Sequence, residues 1–274
     1  MKANDFLLRL KLVRGVGYLR LLQVARCLEA DMDIDLQLIN QLAINPDLKK
    51  YCYQALTDRQ IAANARKIKQ QCQVLSFFDA EYPQRLREIY QPPLLLFARG
   101  ELSLLKKKVA VIVGSRTPTD YSQLVIEQIV PQLLAQGYVI ASGLARGVDG
   151  IAHQETLKNS GSTIAVIGNG LNCFYPWSNH SLQKRISQNG LVLSEYLPDT
   201  QPRPFYFPQR NRILAGLSHR VIVTEAKKHS GSLITANIAL QENRDIYAVP
   251  GRIDSILSQG TNELIAAGAI PLIN

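Results

Sequence analysis

Several things are scarce in this sequence of 274 residues. No apolar run approaches the ~20 residues that a membrane-crossing helix requires. The opening Met1-Lys2-Ala3-Asn4-Asp5 leads into no long apolar core of the kind a secretory leader carries. These absences point to the cytoplasm and away from a membrane. Cysteine is also sparse. Cys27, Cys52, Cys72 and Cys173 form no C-x-x-C pair and have no histidine at metal-ligand spacing. Reduced, mostly buried thiols are therefore expected rather than a disulfide framework or a metal site. A Walker lysine motif is missing, and with it the usual nucleotide-hydrolase cradle. Charged residues make up only 19% of the chain against 46% hydrophobic, which allows an ordinary packed core and argues against disorder.

What the chain does have is an excess of positive charge, a formal +9. A basic globular protein favours polyanionic partners, although solubility alone is the plainer reading. The excess is not confined to a tail. Residues 1–72 carry 12 Lys/Arg against 7 Asp/Glu, and the remainder carries 19 against 15. A binding surface must therefore be assembled by folding.

Residues 1–72 read as an all-helical domain. Apolar residues recur at helical spacing in Phe6, Leu7 and Leu10, and again in Tyr18, Leu21, Leu22, Ala25 and Leu28. Thr57-x-x-Gln60 reads as a capping box for a helix running to about Cys72. Between two of the helical stretches, Val13-Arg14-Gly15-Val16-Gly17 could offer backbone amides to a phosphate, but the commoner use of such glycines is a tight turn. From residue 73 the pattern changes. Strand-like runs are expected at 74–77, 94–97, 109–113, 138–141, 163–167, 191–193, 221–224, 246–249 and 270–273. Helical stretches fall at 120–136, 148–159 and 178–188. This alternation predicts an α/β domain over 73–274 with a mainly parallel sheet.

Ligands of open parallel sheets sit at the carboxyl ends of the strands, so the loops there carry the candidates. Gly114-Ser115-Arg116 joins a backbone that can approach an anion to a guanidinium suited to phosphate. It is not G-x-G-x-x-G, which disfavours a dinucleotide cofactor, and no cofactor is expected. Ser142, Gly143 and Arg146 repeat the recipe on the next loop. Gly168 precedes Phe174-Tyr175-Pro176-Trp177, where Phe174 reads as core and Trp177 could stack on a base or not. Arg203, Phe207, Arg210, Asn211 and Arg212 mix arginines with aromatics inside a long loop and a helix expected to open near Pro208. Such a mixture suits a single-strand groove, although some of these arginines could form internal ion pairs. Lys227 and Ser230 mark one more anion cradle. Four histidines without a nucleophile partner, and a Ser-Gly-Ser that is not a nucleophile elbow, give no catalytic set.

Taken in order, Gly-Ser-Arg (114–116), Ser-Gly-Leu-Ala-Arg-Gly-Val-Asp (142–149), Phe-Pro-Gln-Arg-Asn-Arg-Ile-Leu-Ala-Gly-Leu-Ser (207–218), Glu225, Ser-Gly-Ser-Leu-Ile-Thr-Ala (230–236), Val-Pro-Gly (249–251) and Gly-Thr-Asn-Glu-Leu-Ile (260–265) closely resemble the DNA-processing protein A (DprA/Smf) family across about 75–274. The resemblance implies an extended Rossmann-like fold preceded by a small sterile-alpha-motif-like domain. It also implies a non-catalytic homodimer that binds incoming single-stranded DNA in natural transformation, loads the RecA recombinase onto it and displaces single-strand-binding protein, with competence regulators as further partners. It places the family's Gly-Ser-Arg loop on Gly114, Ser115 and Arg116 and its basic pocket on Arg203 and 210–212, with Phe207 as a candidate base contact. Some relatives carry a basic residue after the Tyr-Pro at 175–176, where this chain has Trp177 and Ser178. Many also carry a C-terminal winged-helix domain, which a chain ending at Asn274 is expected to lack. Two other classes stay open: a nucleoside-monophosphate-cleaving enzyme of a related Rossmann-like family, and a pure protein adaptor.

Overall fold

The computed structural model describes residues 1–273. Their contacts form two compact units, Met1–Tyr82 with Pro93–Phe97, and Pro83–Pro92 with the chain from Ala98 onward. Asn274, the last residue of the expected α/β domain, lies outside the described residues.

The first unit contains helices α1 (Ala3–Leu12), α2 (Tyr18–Ala25), α3 (Leu36–Gln41), α4 (Pro46–Thr57) and α5 (Arg59–Gln71), then strand β1 (Gln73–Ser76). Helix α1 packs on α4 and α5, and Phe6, Leu7, Leu10, Ile39, Leu48, Cys52 and Ile61 are buried between the helices. The cap of α5 differs from the expected one. Thr57 ends α4 and donates its hydroxyl to the Tyr53 carbonyl, while the Asp58 carboxylate accepts the amides of Gln60 (2.7 Å) and Ile61 (3.1 Å). Two such bonds to its ionised form hold the Asp58 carboxyl below its usual range. The physical reason for the shift by one residue is that an Asp there reaches two orphan amides, where the threonine is still inside the preceding helix.

The second unit holds α6 (Gln84–Arg87) and the end of β2 (Leu95–Gly100). It continues with β3 (Lys108–Val113), α7 (Asp120–Ala135), β4 (Tyr138–Ser142), α8 (Val148–Lys158), β5 (Thr163–Ile167), α9 (His180–Asn189) and β6 (Leu191–Ser194). It closes with α10 (Tyr206–Leu217), β7 (Arg220–Val223), α11 (Gly231–Gln241), β8 (Asp245–Ala248), α12 (Gln259–Ala266) and β9 (Ile270–Pro271). All nine expected strands form, none more than three residues from its expected limits. From β6 onward across the sheet the order is β6-β5-β4-β3-β7-β8-β9, and every one of these neighbours runs parallel. The α/β reading with a mainly parallel sheet therefore holds. β5 and β6 are buried at every residue and β3 at all but its first, because helices cover both faces. On one face Ile126, Val130 and Leu133 of α7, with Val148 and Ala152 of α8, pack over Ala110, Ile112, Ile140 and Ile222. On the other, α10 lies against β3 and β5 and against α11.

Chain order runs outward from β3 through β4, β5 and β6, then returns to the far side of β3 as β7. The crevice at the carboxyl ends of β3 and β7 is thus the point where strand order reverses. Among the described residues no helix is long and apolar enough to cross a membrane, and no cluster of three or more metal-ligating side chains is found.

Candidate functional site

A pocket of about 490 Å³ opens at that switch point. The loop after β3 (113–117) forms one wall and the loop after β7 with the start of α11 (227–232) the other. Phe207, Pro208, Arg210, Asn211 and Leu214 of α10 close it.

The β3 loop is held from three sides. Glu225, at the end of β7 and nearly fully buried, accepts the Thr119 amide and Thr119 hydroxyl (2.8 Å each) and the Ser122 hydroxyl (2.8 Å). The Ser115 carbonyl accepts the Val148 amide at the start of α8 (3.1 Å), and the Ser115 hydroxyl accepts the Thr117 amide (3.1 Å). Gly147 sits at φ +72, where a Cβ would meet the Ser115 carbonyl at 2.4 Å. Only glycine fits both the conformation and the space. The result is a loop fixed in position, with the Arg116 side chain exposed at its tip beside the pocket.

Opposite stand exposed Lys227 and Lys228, with Lys228 paired to Glu263 (2.5 Å). Ser230 occupies the N-cap position of α11, and its hydroxyl lies 2.9 Å from that of Ser232 instead of bonding an amide of the helix. The amides of the first α11 turn have no partners within the helix and carry its positive dipole end toward the same space. The Asn211 amide donates to the Gly231 carbonyl (3.3 Å), fixing α10 to this loop.

The pocket floor holds two buried ionisable groups of opposite sign. Arg210 is 4% exposed and its guanidinium donates to the Val166 carbonyl. Asp149 faces it, itself accepting the Ala145 amide at 3.2 Å. Burial raises the Asp149 carboxyl above its usual range even though Arg210 and the Ala145 amide pull the other way. Gly143 makes room for the guanidinium, since a Cβ there would lie 1.9 Å from Arg210 Nη1.

Of the candidates named from sequence, the structure gathers Gly114, Ser115, Arg116, Phe207, Arg210, Asn211, Lys227 and Ser230 around one pocket. It uses others differently. Ser142 is buried and donates to the Ile112 carbonyl (2.7 Å), so its hydroxyl does not face the pocket. Arg212 is nearly buried and donates to both oxygens of Glu195 at 2.7 Å each, an internal ion pair. Arg210 is floor rather than rim. Gly143 and Gly168 are buried beneath Arg210 and the Phe207 ring, respectively. Arg146 and Arg203 are exposed but lie outside the pocket lining. Helix α10 begins at Tyr206, two residues before the expected Pro208, which occupies the third helical position where its missing N–H costs nothing. Lys228, His229 and Asp149 also line the pocket. Lys228 and His229 follow Lys227 directly, and that adjacency was the available signal. Nothing in the sequence placed Asp149 opposite Arg210.

The family described as DNA recombination-mediator protein A matches residues 73–274. The chain belongs to that family. Over 194 residues it is 50% identical to the DNA processing protein DprA of Streptococcus pneumoniae, covering 71% of this chain and 68% of that one. For the next two curated relatives the matched share of their length is 64% and 50%. A solved structure of DNA processing protein A (DprA) from S. pneumoniae superposes with a TM-score of 0.87 at 41% identity, over 99% of this chain and 95% of that one. A structure of the Helicobacter pylori DNA processing protein A, described by its single-stranded DNA binding mode, gives a TM-score of 0.68 at 35% identity over 74% and 92%. The recombination-mediator family reading made from the motifs therefore stands.

Proposed function

We propose that this chain binds single-stranded DNA across the switch-point pocket and passes the strand to a RecA recombinase during natural transformation, without catalysing a reaction. The observation that carries the reading is the exposed cations Arg116 and Lys227 on opposite walls of a pocket with a Phe207 side wall. Cations on both walls with an aromatic between them match a phosphate backbone carrying stackable bases. The family and the H. pylori relative support the ligand class.

The finer parts of the proposal rest on the resemblance to the family alone. They are homodimerisation, displacement of single-strand-binding protein, response to a competence regulator and residence in the cytoplasm. Non-catalysis is supported by Glu225, the carboxylate an enzyme reading would enlist: it is buried and already accepts three hydrogen bonds. In this proposal Arg116, Lys227, Phe207 and Asn211 touch the strand, and Arg146 and Arg203 carry it beyond the pocket. Gly114, Ser115, Ser230, Gly143, Gly168 and Ser142 shape the backbone around it.

The test is fluorescence anisotropy of labelled oligo-dT against a matched duplex at several salt concentrations. Single-strand preference is expected, with log K falling by roughly 0.7 per phosphate neutralised for each decade of salt. Arg116→Ala is expected to weaken binding by about 1–3 kcal/mol and to flatten that slope. Equal affinity for duplex, or a response insensitive to salt, would refute the reading.

A further inference from the structure

Trp177 is the sole tryptophan in the chain and is 73% exposed. An indole left so open in a well-packed domain forgoes a large burial gain. Its surroundings are ordered. It opens a short 3₁₀ turn, Trp177–Asn179, before α9. The His180 ring stacks against it at 4.7 Å with a 19° interplanar angle, and Phe174 meets it edge-on at 6.1 Å. One face is thereby backed by histidine while the side chain as a whole remains open to solvent.

Two further observations tie this indole to the pocket. The Asn179 amide donates to the carbonyls of Leu144 (3.0 Å) and Ala145 (2.9 Å), pinning the turn to the loop that carries exposed Arg146. Tyr175, two residues before Trp177 and 48% exposed, packs its ring on Phe207 at 5.2 Å. Phe207 in turn lines the switch-point pocket. Tyr175, which meets the pocket aromatic, and Trp177 thus lie two residues apart on the segment that follows β5. Arg146 lies on the neighbouring loop and Arg203 on the segment that enters α10. Asp199, an acid on the same loop, is engaged by the Asn172 amide (2.5 Å).

We propose that Trp177, with Tyr175, forms a second base-stacking subsite that extends the single-strand track beyond the switch-point pocket. The occupant is an unpaired nucleobase: its π-face matches the open indole, and its phosphates match the guanidinium of Arg146. Ser178 and Asn179 beside it in the chain are polar, and the loop that Asn179 holds carries exposed Arg146, which suits a polyanion. The inference rests on the single-strand reading of the pocket, and the test separates the two.

Because the chain has one tryptophan, its emission reports on this position alone. Titration with unlabelled oligo-dT is expected to quench it to saturation, while an abasic deoxyribose-phosphate oligomer of equal length leaves it unchanged. In parallel, labelled oligo-dT followed by anisotropy is expected to bind Trp177→Ala about tenfold more weakly than wild type and Trp177→Phe within about threefold. Binding by anisotropy with no quench and with Trp177→Ala at wild-type affinity would overturn this subsite and leave the pocket reading intact. Quenching by the abasic oligomer equal to that by oligo-dT would also overturn it, since stacking needs a base. No binding of the labelled strand at any salt would overturn both.

Discussion

Individual arginines in this protein have unlike tasks, and burial separates them. Arg116 stands exposed at a loop tip and is available to a ligand, whereas Arg210 is buried against Gly143 and bonded to the Val166 carbonyl. Arg212 is nearly buried and bound to both oxygens of Glu195. Removing it would strand a carboxylate in a site with little water. Arg212→Ala is therefore expected to lower unfolding free energy by about 3 kcal/mol. Urea denaturation measures this. A variant that keeps full stability yet loses DNA affinity would show that the guanidinium serves the ligand instead. The sequence placed Arg210 and Arg212 together in one basic stretch, 203–212. It could not distinguish them because their partners are 17 residues away at Glu195 and 44 at Val166.

At the scale of elements, the site is made by loops that brace one another. The turn after β3 is tied by Glu225 to the end of β7 and by the Val148 amide to the start of α8. Gly147 is the point of closest approach. Gly147→Ala would force a side chain into a left-handed conformation and against the Ser115 carbonyl. The expected cost is about 1–3 kcal/mol, read as a drop in Tm of several degrees for a domain of this size. Weakened single-strand binding should accompany it, because Arg116 moves with the loop. Unaltered Tm and affinity would show that the loop relaxes freely. The strands themselves were legible, since β-branched apolar runs such as Val109-Ala110-Val111-Ile112-Val113 have little alternative to a doubly covered strand. Helix ends were less so: capping by Asp58 rather than Thr57 is decided by which side chain reaches free amides after α4 has ended.

For the whole molecule, stability should depend on pH through His153. Its ring is fully buried between α8 and β5, with Nδ1 2.7 Å from the Thr163 hydroxyl. Burial and the nearby Arg210 charge push it down to about 3 from 6.5. The folded protein thus keeps a neutral imidazole where the unfolded chain takes up a proton. The contribution is complete above pH 6.5 and is lost progressively as pH falls toward 3. Its slope approaches about 1.4 kcal/mol per pH unit. The observable is the difference in unfolding free energy between wild type and His153→Gln from pH 7 to 5. That comparison cancels the half-buried His219, lowered by burial with the same sign, and Asp149, raised by burial with the opposite sign. A difference that does not change with pH would mean that His153 is protonated within the fold.

The order of elements, the parallel sheet and the loops that bear the chemistry were all set by the linear sequence. Periodicity and local turn chemistry act over a few residues and are written in those residues. The return of β7 to the far side of β3 was not written there, and that return creates the pocket and brings Lys227 opposite Arg116. Nor was the fate of each polar group within it. Whether Ser142, Arg210 or Arg212 faces solvent depends on which distant carbonyl or carboxylate satisfies it. Burying an unpaired polar group costs more than any local preference returns, so only the assembled tertiary structure decides.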